Sequence, residues 1–222
     1  MSTALNPEKP GFRHLHIFGA GGSGREVAWL AEQIWGSAVT LDFVVDHQRY
    51  LTDAVNGIPV HLLSDLATDS STRFVVALGN PVERRRVATE LALGGHKSAT
   101  LIHPRAEISS WVEMGEGSIV CARSSITCNV RIGAHVHINI GCSVSHDVAI
   151  GDYSTISPGV NVAGNVHIGK GVFVGINACF INGHANQPLS IGDGAVIAAG
   201  ACVTRPVPPG TMVAGVPATR KR

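Results

Sequence analysis

From residue 102 onward every sixth position is apolar: Ile102, Ile108, Met114, Val120, Ile126, Ile132, Ile138, Val144, Ile150, Ile156, Val162, Ile168, Val174 and Phe180. The series skips five residues and resumes at Ile191, Ile197 and Val203. A small or branched residue recurs four positions after the aliphatic one, as Val136, Cys142, Val148, Ser154, Val160, Val166, Val172, Ala178, Ala195 and Ala201. Glycine often follows the aliphatic residue directly, as in "IGAHVH", "IGDYST", "IGKGVF" and "IGDGAV". A period of six predicts a parallel β-helix, with three short faces per coil and one rung for every three hexapeptides. Each aliphatic residue points inward and stacks on its counterpart one rung away, burying a core that no single coil could make. The segment "NGHANQPL", spanning Asn182 to Leu189, breaks the period without changing the register after it, so it reads as an outward loop.

The first hundred residues follow another pattern. "HLHIF" supplies an apolar strand around Leu15 to Phe18, and Val27, Leu30, Ala31 and Ile34 then recur at helical spacing. "LDFVVD" (Leu41 to Asp46) and "RFVVALGN" (Arg73 to Asn80) read as further strands, and a helix follows from Pro81 to about Leu93. Valine-rich strands alternating with helices imply a parallel sheet covered on both faces. The chain therefore divides into a Rossmann-like α/β domain over residues 12–100 and a parallel β-helix over residues 101–222.

Composition narrows the field. The chain has 222 residues, 45% hydrophobic and 15% charged, with a net charge of +1 and no long run of one sign. That balance argues against disorder and offers no signature of nucleic-acid or membrane binding. No apolar run reaches the length of a membrane span, and "MSTALNPEKPGFR" lacks the apolar core of a secretory leader. A cytoplasmic location is expected. The five cysteines, Cys121, Cys128, Cys142, Cys179 and Cys202, contain no close pair, so they read as small buried apolar residues. The histidines do not converge with thiols or carboxylates in sequence, and no metal is expected.

Two motifs carry chemistry. "GAGGSG" places Gly19, Gly21, Gly22, Ser23 and Gly24 between a strand and a helix, with Asp46 and His47 ending the next strand. This satisfies a dinucleotide fingerprint, whose N–H groups and helix N-terminus favour a phosphate. About 85 residues hold only one mononucleotide half of such a fold. NAD-dependent hydride transfer therefore has little support, while a single nucleotide fits. Tight strand–helix packing without a ligand explains the same glycines. Gly79 and Asn80 end the third strand and line the same crevice, because open α/β sheets bind ligands at strand C-termini. Arg84, one helical turn on, either reaches phosphate or shares a solvated helix face with Arg85 and Arg86. The second motif is His146-Asp147, between the core positions Val144 and Val148. These are either two solvated corner residues or a general base with its acidic partner, since imidazole titrates near neutrality and a carboxylate can fix its tautomer.

The hexapeptide repeats resemble those of left-handed β-helix acyltransferases, and "VTRPVPPGTMVAGVPATRKR" resembles the tail that ends such enzymes. With a glycine-rich α/β domain placed before the repeats, the chain resembles the bacterial sialic-acid O-acetyltransferase and nucleotide-sugar N-acetyltransferase family from about residue 14 onward. The resemblance implies an acetyl-CoA-dependent enzyme acting on the amine of a UDP-, GDP- or dTDP-linked amino-deoxy sugar, for surface glycan biosynthesis. It implies His146 as base, Asp147 as its orienting partner, and the Gly164 N–H on the acetyl carbonyl. It places Ile176 and Ala199 along the pantetheine arm, the nucleotide on the glycine loop, and active sites between the subunits of a homotrimer. A sialic-acid or other sugar hydroxyl is the alternative acceptor, and a non-catalytic scaffold or sugar-nucleotide sensor is the alternative class. The chain departs from some members of the family at Thr155, nine residues after the base, where they carry a second histidine. His135, His137, His167 and His184 are expected mostly at the surface, with His184 in the outward loop.

Overall fold

The structure, a computed structural model, describes residues 11–66, 69–184 and 186–221. The N-terminal sheet is built from β1 (His14–Phe18), β2 (Thr40–Val45), β3 (Ala54–Val55), β4 (Ile58–Leu62) and β5 (Thr72–Val76), in the order β3-β4-β2-β1-β5. β1 runs parallel to β2 and β5, and β4 parallel to β2. Helix α1 (Gly22–Trp35) covers one face with Val27, Leu30 and Ala31 against Leu15, Ile17 and Phe43. Helix α2 (Pro81–Leu93) covers the other with Val87, Ala88 and Leu91 against Phe18, Val44, Phe74 and Val76. α2 starts where expected. Asn80 caps it by accepting from the N–H groups of Val82 and Glu83, and Pro81 takes the first helical position, where its missing donor costs nothing.

The sheet differs from the sequence reading in two ways. β5 ends at Val76, and residues 77–80 form the turn into α2 rather than more strand. β3 and β4 form a hairpin that periodicity missed. Its two-residue turn is Asn56-Gly57, with φ of 51° and 80°, the pair of positive dihedrals that such tight turns require.

The repeats coil into three faces of short parallel strands. The first starts at Leu101–Ile102, the second at Glu107–Ile108 and the third at Glu113–Met114. Register pairs each hexapeptide with its counterpart one rung on: Val144 with Ile126 and Val162, and Ile156 with Ile138 and Val174. From Val120 onward the six-residue series is buried in one continuous core. The insertion leaves Leu189–Ile191 paired with Val166–Ile168, so the loop before it projects without shifting the register.

Packing is continuous across residue 100. Ala99, Leu101 and Ile119 share one core with α1 and the sheet, and Tyr153 packs against the α2-side core. Cys142 is buried as expected, but Cys121, Cys128, Cys179 and Cys202 are only half-buried, because they alternate outward or sit at corners. Burial pushes the Cys142 thiol up to about 11 and the Cys121 thiol up to about 12, so neither is a ready nucleophile. Among the described residues no helix is long and apolar enough to cross a membrane, and no group of side chains could hold a metal ion.

Candidate active site

His146 and Asp147 lie at the corner between Ser143–Val144 on the second face and Ala149–Ile150 on the third. Asp147 takes the left-handed conformation, φ 59°, as Asn129 does one rung below and Asn165 one rung above. Asp and Asn tolerate that region better than most residues, so the corner selects them. The consequence is chemical. His146 Nδ1 lies 2.9 Å from Asp147 Oδ2, and Asn129 Nδ2 donates to Asp147 Oδ1 at 3.2 Å. The hydrogen bond with His146, then that from Asn129, holds the Asp147 carboxyl below the usual carboxylate range. An ionised Asp147 accepts a proton-bearing Nδ1 and leaves Nε2 as the basic nitrogen. Both side chains are open to solvent in the single chain, at 60% and 53% exposure.

Gly164 stands one rung above His146. A Cβ added there would fall 2.5 Å from both Cε1 and Nε2 of the imidazole, so the ring occupies the space that a glycine leaves. The Gly164 N–H is itself engaged, donating to Asn182 Oδ1 at 2.8 Å from the rung above. His146, Gly164 and Asn182 therefore form one vertical column at 18-residue intervals. Asn182 went unnoticed in the sequence because it belongs to the segment that breaks the repeat. Its spacing from Gly164 was the available signal. Ile176 and Ala199 share another column, at the corner between the first and second faces, where the Gly200 N–H donates to the Ile176 carbonyl. One flat face separates them from His146.

The predicted nucleotide residues gather at the C-terminal ends of β2, β1 and β5, which are neighbours in the sheet. Gly24 is required by packing, since a Cβ would lie 1.8 Å from the Gly19 carbonyl oxygen. Gly19 adopts φ +102°. Gly21 caps α1 and Gly22 begins it, with Ser23 next, and a Cβ on either glycine would enter open space. Strand–helix packing thus accounts for Gly19 and Gly24 but not for Gly21 and Gly22. Asp46 pairs with Arg86 at 3.0 Å, and His47 Nδ1 accepts from the Arg49 N–H. The Asn80 carboxamide oxygen is committed to capping α2, and the Gly79 carbonyl faces the β-helix.

Two expectations are corrected. Arg84 is neither on a solvated face nor reaching for phosphate: it is fully buried in the seam between the sheet and the coils. It donates to the carbonyls of Leu78, Gly79, His135, Tyr153 and Ser154 and to the Thr155 hydroxyl. Burial pushes the guanidinium down to about 9, and it remains charged at neutral pH. His135 and His137 are also buried in this seam, not at the surface, and the His135 ring stacks on Tyr153 with centroids 5.4 Å apart. His167 is half-buried and His184 exposed.

Comparison with known proteins agrees with this architecture. Residues 14–91 match the PglD N-terminal domain, and residues 129–164 match the bacterial transferase hexapeptide of six repeats. The chain is 37% identical over 209 residues to GDP-perosamine N-acetyltransferase of Escherichia coli O157:H7, covering 91% of this chain and 93% of the relative. The acetyltransferase domain of PglB from Neisseria gonorrhoeae, solved with acetyl coenzyme A, superposes with a TM-score of 0.84 and 32% identity, covering 95% of this chain and all of that one. PerB from Caulobacter crescentus, solved with CoA and GDP-perosamine, gives 0.82 and 28%, covering 94% and 97%. The chain belongs to the left-handed β-helix, hexapeptide-repeat acyltransferases, among their acetyl-CoA-dependent nucleotide-sugar N-acetyltransferases.

Proposed function

We propose that this enzyme acetylates the amino group of a GDP-linked amino-deoxy sugar, with GDP-perosamine as the leading acceptor. The relative and the PerB complex named above support the choice of GDP over UDP or dTDP. The observation that carries the chemistry is the His146–Asp147 pair at 2.9 Å, braced by Asn129 and facing open space.

In the reaction, the neutral sugar amine attacks the thioester carbonyl carbon of acetyl-CoA. A C–N bond forms as negative charge collects on the carbonyl oxygen. His146 Nε2 takes the proton from the attacking nitrogen, and Asp147 stabilises the resulting imidazolium. The C–S bond then breaks, and the proton passes from His146 to the departing CoA sulfur. No covalent acyl-enzyme is needed, so no cysteine acts.

The GDP diphosphate sits over Gly21, Gly22 and Ser23 at the start of α1, where a helix N-terminus favours an anion and a Cβ on either glycine would meet open space. Gly19 and Gly24 shape that turn, while Asp46, His47, Gly79 and Asn80 frame the crevice for base and ribose. The pantetheine arm runs across the second face from the Ile176 and Ala199 column towards His146. The exposure of His146 in one chain supports a homotrimer in which a neighbouring β-helix completes the cleft. Acetyl-CoA as donor supports a cytoplasmic setting, and the product fits surface glycan biosynthesis.

The test is thiol release from acetyl-CoA with a panel of GDP-, UDP- and dTDP-linked amino sugars, with the product checked for one added acetyl group. Turnover confined to a GDP-linked sugar supports the reading. Turnover only with a sialic acid or another hydroxyl acceptor contradicts it.

A further inference from the structure

The coiling brings together two cysteines that the sequence holds apart. From Cys179 to Cys202 the chain makes one full coil and also contains the insertion, so neither the repeat period nor a short spacing marks them as a pair. Strand register pairs them directly, Cys179 with Cys202 and Phe180 with Val203. Phe180 and Val203 point into the core, so the two thiols alternate outward on the second face. The Cys179 N–H donates to the Ala201 carbonyl at 2.8 Å, which holds the two strands in contact at this point. Neighbouring strands lie about 4.8 Å apart, and a disulfide joins Cα atoms about 4.4–6.8 Å apart, so the pair can close without a large backbone movement. No other two cysteines are matched in strand register.

The position of the pair matters as much as its geometry. Each cysteine follows a member of the corner column by three residues, Cys179 after Ile176 and Cys202 after Ala199. A pantetheine arm that leaves that column for His146 crosses the outward side of the second face, where these thiols lie. Both are half-buried in the single chain, so a small reagent reaches them. Burial, then contact with the Cys202 thiol, holds the Cys179 thiol above its usual value. Cys179 is therefore protonated at neutral pH, and its reaction with an oxidant speeds up as pH rises.

We propose that Cys179 and Cys202 form a dithiol modification site that closes to a disulfide on reaction with a low-mass disulfide, in competition with acetyl-CoA for the same face. The competition rests on the pantetheine path proposed above. Cys179 loses its proton to solvent, and its thiolate attacks one sulfur of the reagent. The reagent S–S bond breaks, and one half leaves as a thiolate that takes up a proton. Cys202, deprotonated in turn, attacks the Cys179 sulfur and expels the other half. The two protein thiols give up two electrons and two protons, and one low-mass disulfide becomes two thiols. Acetyl transfer itself uses neither sulfur.

The experiment treats the native enzyme with oxidised glutathione, alone and with saturating acetyl-CoA or GDP, and maps the products by mass spectrometry of unreduced peptides. A Cys179–Cys202 bridge should form, reverse with dithiothreitol, and form several-fold more slowly with acetyl-CoA but not with GDP. Cys202→Ser cannot close the bridge and should trap glutathione on Cys179. That adduct should raise KM for acetyl-CoA several-fold and leave KM for the nucleotide sugar unchanged. Thiols that stay free, or a bridge that forms at the same rate with and without acetyl-CoA, overturn the inference. An enzyme that bridges but binds no acetyl-CoA in calorimetry overturns the acetyl-CoA reading, and the competition inferred here with it.

Discussion

Arg84 and Thr155 meet inside the seam between the two parts of the chain. The guanidinium donates to the Thr155 hydroxyl at 2.9 Å, and that hydroxyl donates onward to the Gly79 carbonyl at 2.7 Å. Gly79 lies in the turn that frames the proposed nucleotide crevice, and Thr155 stands nine residues past His146. One short chain of hydrogen bonds thus ties the turn before α2 to the coils of the β-helix. Thr155, the position at which the resemblance implies a second histidine in some members of the family, is here a structural joint.

Thr155→Val keeps the shape and removes both hydrogen bonds, leaving Arg84 one acceptor short. The cost should be about 1–3 kcal/mol, read as a shift in the urea midpoint. Arg84→Met strips the donor from several buried carbonyls at once and should cost more. In Thr155→Val, KM for the nucleotide sugar should rise while KM for acetyl-CoA stays near the unmodified value. Equal changes in both would mean that the joint has no special bearing on the crevice.

Gly164→Ala tests the fit of the imidazole. Gly164 lies outside the left-handed region, so alanine brings no backbone strain, but its methyl would sit 2.5 Å from the ring. The ring must move, and kcat should fall roughly 10²-fold, the scale on which a small misplacement of a catalytic group is felt. The unfolding midpoint should change little. A variant with full activity would show that His146 does not need its observed position.

Gly24→Ala separates packing from binding in the glycine loop. Its methyl would strike the Gly19 carbonyl at 1.8 Å, so the turn must distort and both stability and GDP affinity should fall. Gly22→Ala meets open space and should leave stability nearly unchanged while weakening GDP binding in calorimetry. Unaltered GDP affinity in Gly22→Ala would remove that glycine from the nucleotide site.

The β-helix was legible in the sequence because its inward positions repeat without exception from Ile102 to Phe180. α1 was legible from its apolar spacing, and His146 from its place between Val144 and Val148. Arg84 was not, because periodicity cannot tell a charged residue in a buried helix stripe from one facing water until the surface above it is known. That surface is made by His135, Tyr153 and Thr155, more than fifty residues away in sequence. The β3–β4 hairpin was too short to show a period, although "VNGI" carried its turn. Asn182 escaped because the repeat assigns no role to residues in an insertion.

The seam also predicts a pH dependence. Burial, then the charges of Arg84 and His135, hold the His137 imidazole well below 6.5, so it is neutral in the fold. Unfolding restores its ordinary value, and below pH 6.5 the unfolded chain binds the extra proton. The stability carried by neutral His137 is therefore complete above that pH and is lost as pH falls towards its depressed folded value. His16, His103 and His135 are lowered chiefly by burial and act in the same direction. The thermal midpoint should drop between pH 7 and pH 5, with a shallower drop in His137→Asn. An identical slope in that variant would relieve His137 of the effect.

The most direct measurement is kcat of His146→Ala against the unmodified enzyme, with acetyl-CoA and GDP-perosamine, alongside calorimetric binding of CoA and GDP to both. The account predicts a fall in kcat of about 10²- to 10⁴-fold, the range for a lost general base, with both ligands bound as before. Turnover within a few-fold of the unmodified enzyme would show that the base lies elsewhere and that the His146–Asp147 pair is only a corner of the coil.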